Sequence, residues 1–558
     1  MSDSPYIGVP TGWRVVGREV DLVELYGKLA ESGGVQVTNS GAILAGQGGI
    51  GKSTLARAYA EEYRDDYAGV LWLTAGTRQA VIDGLMGLCG PLGLAVPEAA
   101  KEADAQAVLA KLAARGDRWL VIYDNVEGYD DFKGLEPRGA HLIVTTRQGT
   151  GWPGFAVMKA DVLKFDTEDG AAVRLLMEAA ERTEDAAGAR ALAEVLGGLP
   201  LALVMAGRLI AREGGGFDDY RRDVSAIIAR APRNEDYPTS VIGAVRLSYA
   251  RLSENARLVA DLFAWWAAEG LAARLIADAP GGEWWEADKG DVPAAVQALA
   301  GDAAAVRAAM AELADRSLIA GPSVDAAMHR MTAAALRAMQ GDDAMARAAA
   351  ALLDAVYPGG GKSPAHSPQW PECRRLTPHV RAVWETGAAP ATAAMDTLLN
   401  QAAIYLGRIA DFPGALEMAR GSLMLKQARL PEEDRDIALG HGTLGMALME
   451  MGDLPGALAE LDRAEALLQE AHELWWAVHE GNAAHPEVRN AAGWLVHCLL
   501  VRARAGENRG AREAKAKRIC AEVGLDFETL AAQAADYPYT PGGTACGLPA
   551  RRRRRGRR

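Results

Sequence analysis

The sequence predicts a multidomain chain with a parallel α/β domain first and helical domains after it, ending in a helical repeat array. Three observations carry this. Short apolar runs, Ala42-Ile43-Leu44-Ala45, Gly69-Val70-Leu71-Trp72-Leu73-Thr74, Leu120-Val121-Ile122-Tyr123 and His141-Leu142-Ile143-Val144, alternate with stretches of helical period. That alternation builds a parallel sheet covered on both faces. From about Asp166 the strand signals stop, and Asp169 to Ala180 and Ala186 to Leu196 follow a helical period. Finally, Ala410-Asp411-Phe412-Pro413-Gly414-Ala415-Leu416 recurs 42 residues later as Gly452-Asp453-Leu454-Pro455-Gly456-Ala457-Leu458.

At 558 residues the chain exceeds what one core accommodates. Its net charge is −13, and the seven arginines Arg551 to Arg555, Arg557 and Arg558 offset a body near −20. So acidic a body argues against general nucleic-acid or membrane-surface binding. The arginine run is expected to be a solvated, disordered tail. Five scattered cysteines, Cys89, Cys373, Cys498, Cys520 and Cys546, lack metal-ligand spacing and suggest neither a disulfide framework nor a zinc site. No basic start with an apolar core opens the chain and no apolar run is long enough to span a membrane, so a cytoplasmic location is expected.

Val15-Val16-Gly17-Arg18-Glu19 leads into an amphipathic helix, Val20 to Leu29. The strand Ala42 to Ala45 then runs into Gly46-Gln47-Gly48-Gly49-Ile50-Gly51-Lys52-Ser53-Thr54, and Leu55 to Ala60 reads as helix. Two glycines bracketing four residues before Lys-Ser, between strand and helix, satisfy the phosphate-loop pattern. Glycines let the backbone curl until successive N–H groups point at phosphate oxygens, and the positive end of the new helix adds to the attraction. Lys52 would reach the β- and γ-phosphates, and the Ser53 hydroxyl would ligate magnesium.

The strand Arg118 to Tyr123 ends in Asp124-Asn125. In isolation Asp124 reads as a turn-capping aspartate. Its separation from Lys52 and the neighbouring amide make it the candidate magnesium ligand, held through water. Asn125 stands where fast ATPases carry a second acid, and an amide is a poor base, so hydrolysis is expected to be slow. Arg147 closes the strand Ile143-Val144-Thr145-Thr146 on the edge where open parallel sheets bind ligands; alone it reads as a surface arginine ending a strand, and behind the preceding motifs it suits a γ-phosphate sensor. In Gly198-Leu199-Pro200-Leu201, Pro200 cannot continue a helix interior and so begins a new one.

Taken in order, Val16-Gly17-Arg18-Glu19, the glycine loop through Thr54, Leu120 to Asn125, Ile143 to Arg147 and Gly198 to Leu201 resemble the NB-ARC module. That module defines the AP-ATPase branch of the STAND signalling NTPases. The resemblance implies ADP or ATP with Mg2+ as cofactors. Gly46, Gly48, Gly49, Ile50, Gly51, Lys52, Ser53 and Thr54 would hold the phosphates, Val16 and Arg18 would lie near base and ribose, and Pro200 would pack on adenine. It also implies a winged helix, matched by helical stretches from Val241 to Leu252, Ala256 to Ala267 and Ala304 to Asp315 and by a hairpin from Leu318 to Met328. Met328-His329-Arg330 is similar to the family's Met-His-Asp motif, whose histidine touches the β-phosphate of ADP. His329 matches, whereas Arg330 replaces the aspartate.

The C-terminal repeat resembles tetratricopeptide repeats, with a weaker third copy at Gly506 to Ala511 after an insertion around His479 to His485. The expected domains are 1–160 nucleotide-binding, 161–235 helical, 236–345 winged helix, 346–390 helix and a Gly/Pro/Ser-rich linker (Pro358 to Pro371), 391–535 repeats and 536–558 basic tail. The first functional reading is a signalling ATPase switch, its repeats sensing a ligand or protein partner and controlling homo-oligomerisation. The alternatives are a repeat scaffold with a vestigial NTPase, a phosphoryl transferase, and a transcription-regulator-type AP-ATPase with a separate effector. Few residues precede Val16, so output is expected from oligomerisation or a separate partner.

Overall fold

The inner strands of the first domain are buried on both faces along nearly their whole length, whereas its two edge strands are partly exposed. In the computed structural model six strands form one parallel sheet. They are β1 (Tyr6–Ile7), β2 (Gly41–Ala45), β3 (Gly69–Thr74), β4 (Trp119–Val126), β5 (His141–Thr146) and β6 (Ala156–Lys159), in the order β1-β3-β4-β5-β2-β6. Alternate residues serve opposite cores. Val121 and Tyr123 join Leu73, Leu85, Leu112, Phe132 and Trp152 on one face. Leu120 and Ile122 join Leu25, Leu55, Tyr59 and Trp72 on the other. The structure describes residues 5–9, 15–31, 41–46, 48–97, 102–164, 166–167, 169–228, 239–282, 285–359, 362–386, 391–432, 434–478, 482–483, 486–504 and 508–535. Gln47, the insertion apart from residues 482–483, Gly506-Glu507, Cys546 and the arginine tail lie outside them.

The chain divides into two units, the first comprising Met1–Ala264, Ala268–Ala272 and Ala304–Gln340. Beyond the sheet, this unit is helical. The Ala171–Ala179 helix packs on Pro200–Glu213, and Ala186–Val195 on Phe217–Ile228. Thr239–Ala250 packs on both Phe217–Ile228 and Pro200–Glu213, and against Arg330–Arg337. Antiparallel bridges Leu271↔Ala326 and Ala320↔Ala327 make the small wing expected before His329. Residues 273–303, between the second and third winged-helix stretches, belong to the second unit. Among the described residues no helix is long and apolar enough to cross a membrane.

One buried polar chain in this unit carries a pH consequence. Tyr59 Oη lies 2.9 Å from Tyr67 Oη, which lies 2.7 Å from His141 Nδ1. Burial and the nearby Arg118 pull the His141 imidazole down to about 4. The unfolded chain takes up this proton near pH 6.5 and the folded chain does not, so stability present at neutral pH is lost as pH falls from about 6.5 to about 4. Lowering the pH from 6.5 to 5 is expected to cost on the order of 2 kcal/mol through this one group. Thermal melts of the wild type and His141→Asn at both pH values check it. An equal acid shift in both proteins assigns the effect to other groups.

The second unit, Trp265–Ala267, Ala273–Ala303 and Gly341–Arg558, is helical. Ala393–Arg408 pairs with Phe412–Arg429, Arg435–Glu450 with Leu454–Val478, and Pro486–Arg504 with Arg509–Val523. The 42-residue repeat holds at the level of single hydrogen bonds. Asp411 N donates to Leu406 O and Asp453 N to Leu448 O, each at 2.9 Å. Asp411 Oδ1 accepts from Gly414 N and Asp453 Oδ1 from Gly456 N, each at 3.0 Å. The aspartate thus caps a helix whose second residue is proline, in both copies. A Cβ on Gly445 would lie 2.8 Å from Leu461 Cγ, so glycine sets the helix approach there. In the third copy Asn508 precedes the Arg509–Val523 helix and makes no side-chain cap.

The Pro358 to Pro371 stretch, linker-like by composition, departs from that expectation. Its middle is packed while Lys362 and His366 stay exposed: Ser363 and Ala365 are buried, and Trp370 Nε1 donates to Pro364 O at 3.0 Å. Pro371 sits in the first turn of the Trp370–Glu385 helix, where its missing N–H has no intrahelical partner to lose.

Candidate functional site

The sheet delivers the glycine loop at the carboxyl end of β2, with β5 and then β4 alongside. Gly51, with φ 92°, caps the Lys52–Glu62 helix in a left-handed conformation that a side chain would strain. Lys52 Nζ donates to Gly46 O at 2.7 Å, curling back over the loop. Burial and Arg147 lower the Lys52 ammonium to about 8, against the opposing pull of Asp124. Ser53 and Thr54 open the helix exposed, and Ile50 is buried beneath the loop.

Asp124 lies one strand beyond β5. Ser53 Oγ donates to Asp124 Oδ1 at 2.7 Å, and Thr145 Oγ1 donates to the same oxygen. Burial pushes the Asp124 carboxyl above the usual range, against these two hydroxyls and Lys52. A hydroxyl and a carboxylate in contact form the hard-oxygen donor pair that suits Mg2+. Asn125 follows with φ 65°, where β4 shifts register against β5 between Tyr123 and Val126. Asparagine tolerates that conformation better than most residues. Its backbone N–H donates to Thr145 Oγ1 at 2.8 Å, so Thr145 ties together both residues after Tyr123. Nothing local in the sequence marks Thr145 for this task.

Arg147 is exposed just past β5, where its charge reaches both Lys52 and His329. Pro200 begins the Pro200–Glu213 helix beside the loop, its Cγ 3.8 Å from where a Gly51 Cβ would stand. Leu201 N donates to Gly49 O at 3.4 Å. Arg18 turns its guanidinium to protein groups. Its guanidinium donates to Ile50 O at 2.6 Å and Asp161 O at 2.8 Å, and pairs with Asp21 at 2.8 Å. With the side chain 8% exposed, Arg18 braces the loop from behind. Val16 is half-buried two residues before it.

The wing carries His329-Arg330-Met331 to the same place. His329 Nδ1 accepts from Met331 N at 3.2 Å, capping the Arg330–Arg337 helix. With Nδ1 an acceptor, the neutral ring carries its proton on Nε2 and can donate there. Burial and the neighbouring Lys52, Arg147 and Arg330 hold the imidazole well below its usual value, which keeps it neutral while no anion is near. Met331 presses on the loop: a Cβ on Gly48 would lie 2.8 Å from its Sδ and 3.9 Å from His329 Cε1. Arg330 turns to the end of β4. It meets Glu127 at 3.5 Å, and Asn125 points its amide oxygen at the guanidinium in the orientation that satisfies both. A residue the sequence did not flag, Glu269, accepts from Thr74 Oγ1 at the end of β3. Glu269 lies in an unpatterned loop, so no sequence signal marked it.

The Ser53–Asp124 pair, the glycine cradle and the Lys52 ammonium therefore fit a magnesium-bound nucleotide phosphate chain.

No family model matches the chain. Among curated proteins it is 27% identical over 292 residues to a probable disease resistance RPP8-like protein 2 of Arabidopsis thaliana, covering 46% of this chain and 32% of that protein. The disease resistance protein RPP8 of the same plant is 28% identical over 301 residues, with the same two shares. The match thus spans about a third of the length of these relatives. Among solved structures, a STAND protein with a tetratricopeptide repeat sensor from Pyrococcus horikoshii aligns over 96% of this chain and 80% of its own, at 13% identity and TM-score 0.40. The family to which the motif order points is the one these curated relatives carry: this chain is similar, over nearly half its length, to NB-ARC disease resistance proteins, a branch of the STAND signalling ATPases.

Proposed function

We propose that this chain is a nucleotide-dependent signalling switch that binds ADP and ATP with Mg2+. The observation that carries the reading is convergence: Lys52, the Ser53–Asp124 pair, Arg147 and the Nε2–H of His329 come from the sheet and the wing and meet around one glycine loop. In this reading Lys52 takes the β- and γ-phosphates and Arg147 senses the γ-phosphate. Ser53 and Asp124 hold Mg2+, which neutralises phosphate charge when bound. Gly46, Gly48, Gly49, Ile50, Gly51 and Thr54 line the phosphates, Pro200 packs on adenine, and His329 donates to the β-phosphate. Arg18, with Val16 ahead of it, acts through the loop it braces.

A diphosphate held by sheet and wing together stabilises the state in which both touch it. Any signal that favours their separation weakens nucleotide retention by the same free energy. The repeats are the natural reader of such a signal, through a ligand, a protein partner or a second copy of the chain. Denaturing the purified protein and identifying the released nucleotide tests the reading. Co-purified ADP is the expected result. A protein that binds neither ADP nor ATP would instead be a helical scaffold with a vestigial loop.

A further inference from the structure

An amide at position 125 leaves the nucleotide site without the second acid that would orient an attacking water. The fold brings another carboxylate to this edge of the sheet. Glu269, in the segment just before the first wing strand residue Leu271, reaches over to Thr74, the last residue of β3. Thr74 is paired in register with Asp124 on β4. Thr74 Oγ1 donates to Glu269 Oε2, and among the described residues Oε1 has no partner. Solvent reaches part of Glu269. Burial pushes the Glu269 carboxyl above its usual range; the charge of Asp124 adds to the rise, and the Thr74 hydroxyl and Arg330 oppose it.

We infer that Glu269, and not Asn125, is the general base for hydrolysis of ATP at this site, contributed by the winged helix instead of the sheet. The inference rests on the nucleotide reading above. As water attacks the γ-phosphorus, one water proton passes to Glu269 Oε1 and the water oxygen bonds phosphorus. The bond from phosphorus to the oxygen bridging to the β-phosphate breaks, and its electron pair leaves on that oxygen with ADP. Glu269 then returns the proton to the released phosphate. Thr74 positions the carboxylate through Oε2, and Arg330, held by Asn125 and Glu127, keeps a positive charge beside it. Because Glu269 lies in the wing segment, hydrolysis proceeds only while the wing is seated on the sheet. The same closure that holds the nucleotide completes the catalytic set.

The test combines single-turnover hydrolysis of γ-labelled ATP by the full chain with ADP affinity measured by calorimetry, for the wild type, Glu269→Gln and Thr74→Val. The expected result is a loss of about a hundredfold or more in the hydrolysis rate of Glu269→Gln, at the low end of what a positioned base supplies. Thr74→Val is expected to lose about tenfold, and both variants keep ADP affinity and melting midpoint within error. Glu269→Gln hydrolysing within about threefold of the wild type overturns the inference. So does a wild type that binds ADP and hydrolyses no ATP in a single turnover, and in that case the nucleotide reading survives. A wild type that binds neither nucleotide overturns both.

Discussion

Lys52→Ala is expected to lower affinity for ADP and ATP by a hundredfold or more, about 3 kcal/mol. The ammonium is pinned over the loop by its 2.7 Å bond to Gly46 O, so the charge is in place before a phosphate arrives and little ordering cost remains. Alanine leaves the backbone cradle but removes the one cation that reaches over it from the helix start. The same substitution is not expected to destabilise the nucleotide-free protein. Burial and Arg147 hold the Lys52 ammonium down to about 8, so at neutral pH the folded state binds this proton less tightly than the unfolded chain does. Removing a disfavoured charge is neutral or mildly stabilising. Calorimetric titration paired with melts in the absence of nucleotide separates the two effects. Unchanged affinity would mean that the glycine loop holds no phosphate.

Gly207→Val is expected to destabilise the first unit by about 3 kcal/mol or more. A Cβ at Gly207 would lie 2.5 Å from Ala179 Cβ and 2.9 Å from Ala179 C and Ala180 N. Those last two atoms are backbone, so no rotamer change relieves the clash and the Ala171–Ala179 and Pro200–Glu213 helices must separate. The helix that moves begins with Pro200 and Leu201, which border the glycine loop. Nucleotide affinity should therefore fall with stability, although Gly207 is two turns from the site. Hydrogen exchange of amides in the Pro200–Glu213 helix, with and without ADP, is the measurement. Protection equal to the wild type's would show that the helices tolerate the separation.

These two residues illustrate what could be read in advance. The place of Lys52 was legible because it is written locally: a strand, a glycine turn and a helix start occupy consecutive residues, and nothing distant has to be known. Gly207 was not, since a glycine inside a helical period carries no mark of the backbone it meets across 28 residues. The linker-like composition of Pro358 to Pro371 misled for a related reason. Proline, glycine and serine describe a chain's local freedom, whereas Ser363 and Ala365 are buried by packing that composition does not record.

The motif order alone determined that a phosphate loop, an Asp124-bearing strand and an Arg147-bearing strand lie in one parallel sheet, because strand period and turn chemistry are local properties of the chain. The 42-residue repeat likewise determined its own capping, since Asp411 and Asp453 bond residues only three positions away. Tertiary structure decided which side chains share the site. It turned Arg18 inward to brace the loop, gave Thr145 both Asp124 and Asn125, carried Arg330 to the end of β4 and set Glu269 on Thr74. Each of these contacts joins residues that chain order keeps unrelated, and only the free energy of the folded core brings them within hydrogen-bonding distance.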